Sequence, residues 1–250
     1  MLNRDTIDKL LETEICHEPF DHLVIDDFFD QTYAELLTTE FPAYDSEVWY
    51  TYDSPIEVKR TCNSWDRFPP ATYRAFWALC SREFNSVLEK RFDLTLRADY
   101  GLNGGGWHMH GKGGKLNIHQ DYSIHPKIPY ERKLNIIIHL SQNWKPEWGG
   151  GIEFWSHNEE TNKPKEMVKK YDLKFNRAVI FDTTQHSWHG LPEPLKCPED
   201  HFRKTLAIYY VQSPSETVCD RFRALFVPTK EQENDASVLD LIEKRKSIKR

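Results

Sequence analysis

The residues His119-Gln120-Asp121 place an imidazole and a carboxylate two positions apart. In a strand, side chains at i and i+2 point to the same side, so this pair offers two ligands to one point. A later histidine, His186 or His189, follows a strand-like run and supplies a third ligand from a segment distant in sequence. Two imidazoles and one carboxylate on one face of a metal leave the opposite positions open. That is the facial arrangement of non-heme iron(II) oxygenases, whose cosubstrate and oxygen take the free sites. The triplet alone decides nothing, because polar residues at a strand end produce it as well.

Such ligands must be held by a rigid frame, and the text around them supplies one. Residues Thr6 to Ile15 read as a short helix, His22 to Ile25 as a strand, and Asp30 as the N-cap of a helix that stops before Pro42. Residues 43–69 show little periodicity and read as a long loop with edge strands. Pro70 opens the clearest helix, with Phe76, Cys80, Phe84, Val87 and Leu88 on one face. From Leu94 the pattern changes to short strands between Gly, Pro and Asn turns. These are Leu94–Tyr100, Lys115–Gln120, Lys133–Ser141, Gly151–Trp155, Arg177–Phe181 and Lys204–Gln212. Helices first and strands after predict an α+β chain with a sandwich or barrel core. The reading is one domain overall: supporting helices and edge strands over 1–93, the core over 94–229, and a charged helix or solvated tail over 230–250 that ends in Lys249-Arg250.

Composition narrows the classes. The chain has 250 residues, 39% of them hydrophobic and 13% aromatic, enough for one sizeable core. With a net charge of −6 it is poorly suited to bulk binding of nucleic acid or anionic lipid, which needs a basic face. No apolar run approaches a membrane span or a secretory signal. The five cysteines are widely spaced and odd in number, without a C-x-x-C pair, which argues for a reducing compartment, with the cytosol as default.

Five motifs in order give the chain a family resemblance: KLNIHQD, RKLNIIIHLSQNW, WGGGIEFW, NRAVIFDTTQHSWHGLPEP and RKTLAIYYV. The stretch Lys115–Val211 resembles the double-stranded β-helix (jelly-roll, cupin-like) core of prolyl-4-hydroxylase-like 2-oxoglutarate/iron(II) dioxygenases. The resemblance implies iron(II) held by His119, Asp121 and His189. His189 is favoured over His186 because it precedes Gly190, as the distal histidine does in relatives. It implies 2-oxoglutarate and O2 as cosubstrates, with ascorbate admissible as a reductant. Arg203 is the implied partner of the distal carboxylate, since a planar guanidinium engages a carboxylate through two hydrogen bonds. Alternation then turns Thr205 inward with it and Lys204, the rival base, outward.

On the strand 133–141, Asn135 and His139 share the mixed face that should line the barrel. His139 stands where many relatives place a tyrosine that bonds the cosubstrate. Asn117, two before His119, is expected to face inward too. The His108-Met109-His110 run between glycines reads as a flexible lid or substrate loop, and His125 as part of the mouth. Asp121 fills the place that is small in related halogenases, which implies hydroxylation. The expected substrate is a prolyl residue in a peptide or protein, with a free amino acid or other small metabolite as the alternative. Two readings of other classes are a zinc-dependent cupin-like enzyme and a non-catalytic metal-binding or scaffold protein on the same fold.

Overall fold

The switch from helical periodicity to alternation is realised in the computed structural model, which describes residue 2 and residues 4–247. The amino-terminal part runs α1 (Arg4–Glu12), β1 (His22–Ile25), α2 (Gln31–Thr39), β2 (Tyr50–Ser54), β3 (Glu57–Cys62), α3 (Pro70–Leu79) and α4 (Arg82–Phe92). Asp30 caps α2, its side chain accepting from the Tyr33 amide. The single helix expected from Pro70 is two helices. Cys80 ends α3, and the Ser81 hydroxyl accepts from the Phe84 amide to start α4.

The strands that follow are β4 (Arg97–Ala98), β5 (Gly106–His110), β6 (Lys115–Gln120), β7 (Glu131–His139), β8 (Ile152–Asn158), β9 (Lys163–Tyr171), β10 (Ala178–Asp182), β11 (Trp188–Leu191), β12 (Arg203–Gln212) and β13 (Leu225–Phe226). Helix α5 (Ala236–Lys246) closes the described chain. The strands form one curled antiparallel sheet in the order β1-β10-β7-β12-β5-β3-β6-β11-β8-β9, with β2, β4 and β13 attached to β3, β12 and β6. This is the double-stranded β-helix with supporting helices that the family resemblance implies.

Three long-range features depart from the sequence reading. Strand β3 is no edge strand: it pairs with both β5 and β6 and joins the two halves of the sheet. The His108-Met109-His110 run is no loop but the core of β5, hydrogen-bonded between β12 and β3. The C-terminal segment is no solvated tail, since Val238 and Ile242 of α5 pack with Ile56 and Phe226. Lys249 and Arg250 lie outside the described residues.

The main core fills the space between the helices and the outer face of the sheet. Leu134, Ile136, Ile138 and Leu140 meet Phe28, Phe76, Phe84 and Leu88 there, as the apolar side of that alternating strand requires. The opposite, inner face carries the buried polar residues together with a second apolar cluster of Phe20, Ile152, Phe154, Val179 and Phe181, against which Ile137 packs. No described helix is long and apolar enough to cross a membrane.

Candidate active site

His119 on β6 lies directly opposite His189 on β11, and their rings are 4.3 Å apart. Asp121 follows β6 and reaches both: His119 Nε2 is 3.7 Å from one carboxylate oxygen and His189 Nε2 is 3.7 Å from the other. One ligand atom from each of the three lies within 4.8 Å of the others, all buried. Each imidazole donates Nδ1–H to the carbonyl two residues before it, His119 to Asn117 and His189 to Ser187, both at 2.9 Å. That bond fixes the tautomer and turns the Nε2 lone pair into the cavity, as a metal ligand requires. Gly190 permits the approach of β11, because a Cβ there would stand 2.8 Å from the Leu116 and Asn117 carbonyl oxygens.

Burial by itself would raise the Asp121 carboxyl. The Arg132 guanidinium, 2.9 Å away, together with the two histidines, holds it well below the usual carboxylate range. Burial and the neighbouring His119 lower His189 to about 4, so it is a neutral ligand at pH 7. The other Asp121 oxygen is buried without a hydrogen-bond partner. Two imidazole lone pairs and a free carboxylate oxygen fit iron(II).

At the other end of the cavity, Arg203 is buried and its Nε donates to the Gly150 carbonyl at 2.9 Å. No described carboxylate pairs with it. Burial lowers it to about 10, which leaves it charged. Gly150, at φ +84°, explains the glycine run, since a Cβ would press on Leu195 and Arg203. Thr205, beside it on β12, stands opposite His139 of β7 and His108 of β5. His139 is fully buried and neither of its ring nitrogens has a partner. Asn135 lines the same cavity, its Oδ1 also unpaired. The cavity between the two ends has a volume of about 410 Å³.

Residues 105–211 match the family model of the 2OG-Fe(II) oxygenase superfamily. The match covers β5 to β12 and with them His119, Asp121, His189 and Arg203.

By that match it is a dioxygenase that uses iron(II), 2-oxoglutarate and O2. No curated protein matches it by sequence. Among solved structures it is similar to a Pseudomonas putida prolyl-4-hydroxylase, at 13% identity, covering 84% of this chain and 98% of that one with a TM-score of 0.58. It is similar to a Trichoplax adhaerens prolyl hydroxylase in complex with a hypoxia inducible factor peptide fragment, at 15% identity, 82% and 87% coverage and a TM-score of 0.54. It is also similar to Streptomyces hygroscopicus HygX with nickel, 2-oxoglutarate and hygromycin B bound, at 14% identity, 85% and 88% coverage and a TM-score of 0.52. At these identities the likeness is one of fold.

Two residues, Asn117 and His125, stand elsewhere than the sequence reading places them, and Lys204 stands where that reading places it. Asn117 does not face the cavity. Between the β6–β11 pairs His119↔His189 and Leu116↔Leu191 there are three steps on one strand and two on the other. This bulge turns Asn117 outward, where its amide donates to the Val227 carbonyl and to Gln232. His125 is not at the mouth; its Nε2 is 3.4 Å from buried Asp99 and its Nδ1 accepts from the Lys127 and Ile128 amides. Lys204 points outward, its Nζ donating to the Thr38 carbonyl. His186 is exposed, at φ +53°, and stacks on His157 at 3.9 Å. His157, Glu159 and His186 also lie close enough to share an ion. Yet Trp188 Nε1–H donates to His157 Nδ1, which leaves the proton of that neutral ring on Nε2, the nitrogen facing Glu159.

Sequence reasoning missed Arg132. Its guanidinium is sandwiched between the rings of Tyr122 (3.6 Å) and Tyr209 (3.2 Å), and it donates to the Asn103 carbonyl as well as to Asp121. It missed also that His108 and His110 line the cavity. Burial, with Lys59 and Arg203 nearby, lowers His108 to about 3 and His110 well below its ordinary value.

Proposed function

We propose that this oxygenase hydroxylates an unactivated C–H bond, with a prolyl residue of a peptide or protein as the substrate to try first and a free amino acid or small metabolite as the alternative. His119, Asp121 and His189 would hold iron(II). When bound, iron(II) with 2-oxoglutarate supplies the oxidising power that converts O2 and a C–H into an alcohol, with succinate and CO2 as coproducts. The carrying observation is the convergence of two Nε2 lone pairs and a carboxylate within 4.8 Å, at one end of a cavity whose other end holds a buried, uncompensated arginine.

The chain's own work in this reading is division of the cavity. Arg203 with Thr205 and His139 would take the distal carboxylate of 2-oxoglutarate, since a buried guanidinium without a counterion favours a planar anion. Asn135 adds an amide to the same wall. Asp121 stays ionised because Arg132 stands beside it. The tyrosine and phenylalanine walls limit water around the reacting carbon. The prolyl reading draws on the fold likeness to prolyl hydroxylases. We also place the protein in the cytosol, on the grounds of its free, widely spaced cysteines.

Anaerobic titration of the metal-free protein with iron(II) and then 2-oxoglutarate tests the assignment. A weak visible charge-transfer band is expected on chelation, and its loss is expected in His189→Ala. A band that persists in folded His189→Ala overturns the ligand set. Incubation with prolyl peptides in air should then release succinate and add one oxygen to the peptide by mass.

A further inference from the structure

The mouth of the cavity carries more positive charge than the proposed reaction uses. Lys59, Arg223 and Arg245 line it with one carboxylate, Glu57, among them. Glu57 is buried and pairs with two of the three, Lys59 at 3.3 Å and Arg245 in close contact. Arg223 is exposed to the cavity and pairs with no described carboxylate. Arg245 still has its Nη1 buried without a partner. Deeper in, Arg132 is balanced by Asp121, and Arg203 belongs to 2-oxoglutarate on the reading above. Three cations against one carboxylate thus remain at the entrance, on a chain whose net charge is −6. A concave positive patch on a negative protein concentrates and orients anions.

The patch is also close to the metal ligands. Phe226 stacks on His119 at 5.0 Å, and the Arg245 guanidinium lies 5.2 Å over the other neighbour of that stack, the Phe226 ring. Phe226 therefore neighbours both the guanidinium and a proposed iron ligand. At the lip, Tyr50 and Tyr52 pack edge to face at 4.8 Å, and Lys59 sits over the Tyr52 ring. Helix α5, which brings Arg245, is thereby part of the entrance.

We infer that the substrate carries an anionic group, a carboxylate or phosphate, that docks between Arg223 and Arg245 beside Lys59 at the cavity mouth. This rests on the oxygenase reading above but not on the substrate being proline. The anion can belong to a small acid or to an acidic side chain of a peptide, and both present the same chemistry. Charge-assisted hydrogen bonds from the partly buried Arg245 guanidinium, with Arg223 beside it, give a preference of about tenfold over a neutral isostere.

The test uses fluorescently labelled Glu-Pro-Glu, Gln-Pro-Gln and Lys-Pro-Lys, titrated by anisotropy onto the full chain with iron(II) and saturating 2-oxoglutarate under anaerobic conditions. The expected order is Glu over Gln by about tenfold, with Lys weakest. The Glu-to-Gln ratio should collapse in Arg223→Gln and Arg245→Gln, and charge reversal in Arg223→Glu should favour the lysine probe. Being a ratio within one sample, it is insensitive to the folded fraction of a variant. If peptide probes do not bind, N-acetylglutamate and N-acetylglutamine replace them, and binding of the acid alone still supports the inference and assigns a small-molecule source. Equal affinities, a preference for lysine, a ratio that survives both variants, or no acid bound in either set overturns it. Aerobic mass analysis of the bound peptide is read separately: preferential binding without oxygen addition overturns only the prolyl assignment.

Discussion

The two ends of the cavity are furnished in opposite ways. At the His119–Asp121–His189 end most polar atoms are already engaged: both Nδ1 atoms with carbonyls, Asp121 with Arg132, and Arg132 with Asn103 and two tyrosine rings. At the Arg203 end, both ring nitrogens of His110 and His139 lack partners, as does Nε2 of His108, around a guanidinium with no counterion. The contrast fits the roles proposed for the two ends. A metal site needs its lone pairs fixed in place before the ion arrives, and this is done by hydrogen bonds behind the ligands. A site that takes up one dicarboxylate and releases another at each turnover must keep its hydrogen-bonding capacity free. Unpaired buried polar groups cost about 1–3 kcal/mol each, so a concentration of them marks where a ligand is to repay that cost.

The largest effect should come from taking the charge out of the unpaired end. Arg203→Ala would leave the distal carboxylate of 2-oxoglutarate buried without a counterion, a loss of roughly 2–5 kcal/mol in affinity. In the anaerobic titration the 2-oxoglutarate dissociation constant should rise by about thirtyfold or more, while iron(II) still binds. Arg203→Lys should recover only part of it, because a point charge does not reproduce the guanidinium fork. Lys204 cannot substitute, since its Nζ is tied to the Thr38 carbonyl outside the barrel. An unchanged constant would break the division of the cavity into two ends.

Arg132 shows where sequence stops being legible. The family resemblance carried the choice of His189 and Arg203, while local signals carried the pairing of His119 with Asp121, the strand Lys115–Gln120, the Asp30 cap and the opposed faces of Arg203 and Lys204. Each local signal depends only on neighbours in the chain. Parity fails wherever a bulge adds a residue, and it does so twice beside the site. Counting back in twos from Asn135 leads to Lys133, yet the β7–β12 register slips between Leu134↔Tyr210 and Arg132↔Val211, which brings Arg132 inward. The bulge in β6 turned Asn117 out in the same way. Bulges, the central place of β3 and the docking of α5 are set by distant partners and leave no local mark.

Arg132 also gives the next test of the contrast. If the metal end depends on support behind its ligands, Arg132→Met should keep the packing between Tyr122 and Tyr209 but release Asp121. A loss of about 10- to 100-fold in iron(II) affinity is expected, the usual range for a group that orients a metal ligand. Arg132→Lys should recover part of it. Undiminished iron(II) binding in Arg132→Met would mean that the bonds behind the two histidines suffice.

The smallest effect concerns the cost of the unpaired end, and it is read in the metal-free protein. Burial and the nearby Arg203 lower His108 to about 3 and hold His110 and His139 well below 6.5. The unfolded chain takes up these protons near pH 6.5 and the folded chain does not. Below pH 6.5 the unfolded state therefore binds more protons, and folding stability falls as pH drops, by about 1.4 kcal/mol per pH unit for each such histidine. Above pH 6.5 the three are neutral in both states and contribute no pH dependence. The urea midpoint of metal-free protein should be flat from pH 8 to 7 and decline steeply from pH 6 to 5. His139→Phe, which keeps a ring in a fully buried place, removes one of these protons; since His189 and His22 are lowered as well, the decline should flatten by about a quarter or less. An unchanged slope in His139→Phe would mean that His139 is protonated in the fold. The cosubstrate end would then be a row of cations, its unpaired nitrogens having found acceptors, and the contrast between the two ends would reduce to one of charge alone.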